Sequence, residues 1–248
     1  MGDIEIQYKA VLFDFNGTMF FDGKLHDKAW RETIAKHIGR DISDDEIRQY
    51  ISGCNNKDIV NHFFVEIREN EQRATVRADG ENEDFNVLVK EIAEEKEGRY
   101  RQLCMELDAI SLAPGLLELL DRLKADGKQC AIVSAATKEN IELYFRVFHL
   151  ERWFTWNQIV YDDGTLPGKP EPDMWLAAAD KLGVNVGECI VYEDSLNGIL
   201  AAKRAGAAAI VAVYGDASLE MLRNQGIADE YIEDYSILMG RQWIGGRV

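Results

Sequence analysis

The sequence predicts an α/β protein: a parallel β-sheet with helices on both faces, and a separate helical domain inserted into it. Short apolar runs alternate with amphipathic stretches in two separated parts of the chain. Between those parts lies a long segment with helical periodicity and almost no strand signal. Repeats of strand, helix, strand imply right-handed βαβ units, and strands this continuously apolar fit burial on both faces.

Taken in order, the first strand is expected at Ala10-Val11-Leu12-Phe13. From about Lys24 to Asp108 the chain reads as helices, with a turn at Gly53 to Asn56 and the charge run Glu94-Glu95-Lys96-Glu97. Its 14 Lys+Arg and 20 Asp+Glu give 14 − 20 = −6, so the insert is not a basic arm. Segment 66–84 is polar enough for a solvated helix and loop. The expected division is therefore 1–23 with 109–248 for the α/β core, and 24–108 for the helical insert. The core resumes with an amphipathic helix from Leu116 to Lys124, stopped by Asp126-Gly127. Strands follow at Cys130-Ala131-Ile132-Val133, Ile159-Val160, Ile190-Val191-Tyr192 and Ala209-Ile210-Val211-Ala212-Val213. Helices from Met174 to Leu182 and from Ile199 to Arg204 end at Gly183 and Gly206.

Composition narrows the function. The 248 residues fit one large domain or a domain with an insert. With 28 Lys+Arg against 44 Asp+Glu, the net charge of −16 repels phosphate backbones and anionic lipid, which argues against nucleic-acid or membrane binding. No apolar stretch approaches the ~18 residues of a membrane span. The start, Met1-Gly2-Asp3-Ile4-Glu5-Ile6, has neither a basic nor an apolar leader region, and Ile6 stands where myristoylation wants Ser or Thr. Cys54, Cys104, Cys130 and Cys189 form no C-x-x-C pair, and Cys130 and Cys189 fall in strand-like runs that bury reduced thiols. The expectation is a cytoplasmic protein, monomeric or a weak dimer.

In an open parallel sheet, ligands sit beyond the carboxyl ends of the strands. After the first strand comes Asp14-Phe15-Asn16-Gly17-Thr18, and after the second Ser134-Ala135-Ala136-Thr137. Before the helix that follows the third lies Gly168-Lys169-Pro170-Glu171-Pro172-Asp173, and after the fourth Glu193-Asp194-Ser195-Leu196-Asn197-Gly198. Each has an ordinary reading: Asp14 as turn chemistry, Ser134 and Asp194 as helix caps, Lys169 as a solvated side chain. Four such segments at the same edge of one sheet are harder to obtain as independent turns and caps. Asp14, Glu193 and Asp194 would repel one another without a cation, and oxygen donors with no His or Cys point to Mg²⁺. An ammonium and a hydroxyl facing the same cavity suit the oxygens of a phosphoryl group.

These motifs resemble, in order, the four of the haloacid dehalogenase-like hydrolase superfamily, whose core is a Rossmann-like sheet. The insert resembles the helical cap of its β-phosphoglucomutase-like subfamily. The resemblance implies that Asp14 is a nucleophile forming an aspartyl-phosphate, and that Mg²⁺ is held by Asp14, Asp194 and the main-chain carbonyl of Asn16, with Glu193 close by. It implies that Ser134 and Lys169 hold the transferring phosphoryl group, that Gly17, Thr18 and Ala135 bind substrate beside it, Thr18 also supporting the loop, and that the cap closes over the site. The partner would be a small phosphorylated metabolite.

Position 16 departs from the pattern. Phosphatases and mutases of the superfamily usually carry Asp there, to give the leaving alcohol a proton and take one from the attacking water. An amide exchanges no proton near neutral pH. Loss of such a group typically costs ~10²–10⁴-fold in rate. An engineered trap, a natural member with weak or altered chemistry, and another residue in the role all stay open, His26 being the nearest candidate for the last. The expectation is slow turnover that Asn16→Asp accelerates. On the cap, Asn56 stands where β-phosphoglucomutases carry an Arg, and an amide cannot replace a bidentate guanidinium, although Lys57 adds a charge. Phosphatase is therefore preferred to mutase, with a phosphometabolite-binding protein as the non-enzymatic alternative and a metal-free dehalogenase as a weaker one.

Overall fold

The computed structural model describes residues 8–51, 56–70 and 83–238 of the chain. Gly53, Cys54 and Asn55 of the expected turn, and 71–82 of the polar segment, lie outside the described residues. The chain divides into two compact units, Met1–Asp22 with Ile110–Val248, and Gly23–Ala109.

The first unit is built on β1 (Ala10–Phe13), and the second holds α1 (Gly23–Ile38), the short α2 (Asp44–Glu46), α3 (Asn56–Asn70) and α4 (Glu83–Met105). The first unit then continues with α5 (Leu116–Ala125), β2 (Gln129–Val133), α6 (Lys138–Phe148), β3 (Ile159–Val160), α7 (Asp173–Lys181), β4 (Cys189–Glu193), α8 (Leu196–Ala205), β5 (Ala209–Val213), α9 (Leu219–Gln225) and β6 (Glu230–Ile232).

The six strands form one parallel sheet in the order β3-β2-β1-β4-β5-β6. This is the expected doubly wound sheet, with β1 at its centre. Phe13 lies opposite Ile132 on one side and Tyr192 on the other, so the residues that follow these strands emerge side by side. On one face Ala10, Leu12, Ala131, Val133, Val191 and Ile210 pack against Met174, Trp175 and Ala178 of α7 and Ile199 and Ala202 of α8. The alternate residues Phe13 and Tyr192 stack with ring centroids 5.2 Å apart, and Tyr235 packs on both. Side chains alternate across a strand, so both faces of the sheet are covered.

β6 and the helices α6 and α9 were not among the elements named from sequence. β6 is a three-residue edge strand, Glu-Tyr-Ile, with only Ile232 buried, so it carries no apolar run. α8 starts three residues before Ile199 because Ser195 caps it, its hydroxyl accepting the Gly198 N–H at 3.0 Å. α7 runs from Asp173 rather than Met174, since an acidic residue suits a helix first turn.

In the second unit, Trp30, Ile34 and Ile38 of α1 recur every fourth residue and pack with Ile59, Phe63 and Ile67 of α3 and Phe85, Leu88 and Ile92 of α4. Among the described residues no helix is long and apolar enough to cross a membrane. Cys104, Cys130 and Cys189 are buried free thiols, and burial pushes the Cys130 thiol up to about 12.

Candidate active site

The carboxyl ends of the three central strands, β2, β1 and β4, meet at one edge of the sheet. Asp14 directly follows β1, its N–H donating to the Tyr192 carbonyl at 2.9 Å, and it is 6% exposed. Glu193 ends β4 and Asp194 follows it. One carboxylate oxygen from each of Asp14, Glu193 and Asp194 lies within 4.8 Å of the others. Two glycines make room for this. An added Cβ at Gly17, whose φ is +78°, would lie 2.1 Å from an Asp194 oxygen, and one at Gly198 would lie 2.0 Å from the Glu193 carboxyl carbon.

Lys169 reaches into the cluster from the loop before α7. Its Nζ donates to Asp14 Oδ1 at 2.5 Å and to Glu193 Oε2 at 2.6 Å, and lies 4.7 Å from the centre of the Trp175 ring. Its side chain is 8% exposed, so it is not the solvated lysine of the ordinary reading. Burial alone would lower its pKa, but the Asp14 and Glu193 charges outweigh burial and hold it above the usual value. The other oxygen of Glu193 accepts from the Ser195 N–H and hydroxyl, at 3.0 and 2.7 Å. Glu193 thus fixes Lys169 and the start of α8 together.

The cluster carries excess negative charge. Burial and then Glu193 push the Asp14 carboxyl up to about 7, against the opposing pull of Lys169. Burial, Glu193 and Asp14 raise Asp194 well above the carboxylate range, although Thr18 donates its hydroxyl to Asp194 Oδ1 at 3.0 Å. Asp194 caps no helix, because Ser195 does that for α8. Three crowded carboxylates, all hard oxygen donors, with one ammonium beside them fit a divalent cation.

Ser134 follows β2 and is 1% exposed. Its hydroxyl donates to Asn16 Oδ1 at 3.3 Å and accepts from Ala136 N–H at 3.1 Å, while its neighbour Ala135 is exposed. Asn16 is held on every side. Its amide nitrogen donates to Asp22 Oδ2 at 2.6 Å and to the Tyr144 hydroxyl at 2.7 Å. Tyr144, on α6, also stacks on Phe15, with ring centroids 4.2 Å apart. Asp22 and Tyr144 were not among the sequence candidates. Asp22 looks like an ordinary Asp-Gly turn residue, and Tyr144 reaches position 16 only through the packing of α6.

The remaining candidates belong to the helical unit. His26, on α1, is half-buried, stacks on Tyr100 at 4.0 Å between centroids and lies 2.7 Å from Lys96 Nζ. Asn56 and Lys57 are exposed in the first turn of α3.

A doubly wound sheet that gathers buried carboxylates, a lysine and a hydroxyl at the carboxyl ends of its central strands defines an α/β enzyme with its site at the strand ends. A family profile described as haloacid dehalogenase-like hydrolase matches residues 8–206. A haloacid dehalogenase-like hydrolase of family IA, variant 3, from Entamoeba histolytica is 33% identical, with a TM-score of 0.80 over 92% of this chain and 94% of that one. An Asp-to-Asn mutant of CbbY from Rhodobacter sphaeroides, in complex with xylulose-1,5-bisphosphate, is 25% identical, with a TM-score of 0.73 over 94% and 96% of the chains. A haloacid dehalogenase-like hydrolase domain-containing protein of Arabidopsis thaliana is 32% identical over 148 residues, 59% of this chain but 46% of that protein. The chain belongs to the haloacid dehalogenase-like hydrolase family, and it is a hydrolase of that family by fold and by sequence.

Proposed function

We propose that the protein is a Mg²⁺-dependent phosphatase of small phosphate esters that works through an aspartyl-phosphate on Asp14. The observation that carries this reading is the meeting of Asp14, Asp194, Glu193 and Lys169 at the end of the central strand. Asp14 and Asp194, with the main-chain carbonyl of Asn16, would hold the cation, and Glu193 would sit beside it. Bound there, Mg²⁺ supplies neutralisation of the phosphoryl oxygens and of the crowded carboxylates.

The chain's own residues account for the rest. Lys169 and the Ser134 hydroxyl bind phosphoryl oxygens and aim phosphorus at Asp14. The Asp14 oxygen that does not bond Lys169 attacks phosphorus, and the ester P–O bond breaks with its electron pair leaving on the alcohol oxygen. Water then attacks the phosphorus of the aspartyl-phosphate, releasing phosphate and restoring Asp14. Asn16 gives the leaving alcohol no proton and takes none from the attacking water, so the alcohol leaves as its anion and is protonated by solvent, and esters of good leaving alcohols react faster than alkyl esters. A small sugar phosphate is the substrate class in view, since a CbbY mutant with an Asp-to-Asn exchange is described with such a molecule bound.

Incubation with Mg²⁺ and a panel of aryl and alkyl phosphates should release phosphate. Intact-mass measurement after rapid quenching should find a phosphoryl adduct on Asp14 that Asp14→Asn abolishes. Tight binding with neither release nor adduct would instead identify a phosphometabolite-binding protein, the second reading that the fully bonded Asn16 amide favours.

A further inference from the structure

The phosphatase reading leaves one buried carboxylate unused. Asp22 is 1% exposed, and its two oxygens accept from two different groups of the first loop. Oδ2 accepts from the Asn16 amide at 2.6 Å, and Oδ1 accepts from the Gly17 N–H at 3.0 Å. A carboxylate only accepts, so Asp22 decides which way round the Asn16 amide sits: nitrogen toward Asp22 and Tyr144, oxygen toward the Ser134 hydroxyl.

We propose that Asp22 is a positioning residue matched to Asn16: it makes Asn the residue that fits at position 16, and a working acid–base carboxyl can be installed there only when Asp22 is exchanged with it. The rate part of this proposal rests on the phosphatase reading; the pairing does not. Asn16→Asp alone replaces an N–H···O⁻ bond with two carboxylate oxygens facing each other in a buried place. The new side chain must swing away from the position the amide holds. Asp22→Asn alone turns the Asn16 amide over: the new amide oxygen accepts from Gly17 N–H and its nitrogen donates to the Asn16 oxygen. A neutral bond thus replaces a charged one, and the Asn16 nitrogen is set against the Ser134 hydroxyl, which already accepts from Ala136 N–H.

The exchange Asn16→Asp with Asp22→Asn satisfies each of these partners. The amide oxygen at 22 accepts from Gly17 N–H, and its nitrogen donates to the carboxylate at 16. The Tyr144 and Ser134 hydroxyls both donate to that carboxylate. Gly17 N–H also donates to the Phe20 carbonyl at 2.7 Å and shares a planar trans peptide with the carbonyl of residue 16, so Phe20 and Asp22 together direct that carbonyl to the opposite side.

The test compares the original protein, Asn16→Asp, Asp22→Asn and the double exchange. Metal-free melting should fall for each single variant and recover most of that loss in the double, a coupling that independent sites lack. With Mg²⁺ and alkyl phosphates, the double exchange should raise kcat by ~10²–10⁴-fold, the usual worth of an acid–base group. Aryl phosphates should gain far less, and a role in stability alone would not produce that dependence on the leaving group.

A single Asn16→Asp variant as stable as the original and as fast as the double exchange would overturn the proposal. So would a double exchange no more stable than its weaker parent. If no variant turned over any ester while the melting coupling held, the pairing would be supported and the phosphatase reading would fall.

Discussion

Lys169 stands between two carboxylates that the fold has already taken out of water. It bonds Asp14 and Glu193 at 2.5 and 2.6 Å, with 1% of the Glu193 side chain exposed. Removing one partner of a buried ion pair leaves the other charge uncompensated, which typically costs ~3–5 kcal/mol. Lys169→Met keeps the apolar contact with Trp175 while deleting the charge, so urea unfolding of the metal-free protein should show a loss in that range. Saturating Mg²⁺ should recover part of it by supplying another cation. A loss below ~1 kcal/mol, the worth of an exposed pair, would mean that Lys169 does not neutralise this cluster.

At the scale of elements, the start of α2 in the helical unit shows a charge network whose sign can be followed with pH. Ser43 caps α2 by accepting the Glu46 N–H at 3.2 Å, and Glu46 returns the bond to the Ser43 N–H at 2.9 Å, a capping box. Arg40 donates to both Glu46 and Glu66. Arg40 first, and Ser43 after it, hold the Glu46 carboxyl down at about 2. A depressed folded pKa binds fewer protons than the unfolded chain, so its contribution is full above about 4.5 and fades as pH falls toward 2. Glu46→Gln should therefore melt below the original protein at pH 6, and the gap in Tm should close by pH 2.5. A gap of constant size across that range would assign the effect to packing rather than charge.

These elements also show what a sequence displays and what it hides. β1, β3 and β5 coincide with apolar runs because a strand buried on both faces has no polar position to break the run. β6 is invisible because an edge strand of three residues, with only Ile232 buried, has no such run. The gathering of Asp14, Ser134 and Glu193-Asp194 was legible from their places after apolar runs, since polar residues at the carboxyl ends of parallel strands emerge at one edge of the sheet. Lys169 was legible as the ammonium of that crevice, but its bond to Asp14, and the Asp22 and Tyr144 contacts of Asn16, were not. They depend on side-chain reach across 155 and 128 positions of sequence in two of the three cases, and in the third on a loop with no periodicity.

For the molecule as a whole, the division into an α/β unit and a helical unit decides where a bound cation is felt. Asp14, Asp194 and Glu193 all belong to the α/β unit, Met1–Asp22 with Ile110–Val248, and none to Gly23–Ala109. A ligand stabilises only the cooperative unit that must unfold to release it, by ~2.7 kcal/mol at a hundred times its Kd. For a unit of 150–250 residues, each kcal/mol shifts Tm by ~2–4 °C. Calorimetric scans of the full chain with saturating Mg²⁺ and with chelator should therefore differ by ~5–10 °C in the transition of the α/β unit. Hydrogen exchange should place the added protection on peptides covering 13–22, 133–137, 167–173 and 192–198, with little change across α3 and α4. The crowding of three carboxylates around one ammonium makes the metal-free state the strained one, so the shift must be an increase on adding the cation. An unchanged Tm, or protection spread evenly over both units, would mean that the cluster at the sheet edge is not where the cation binds.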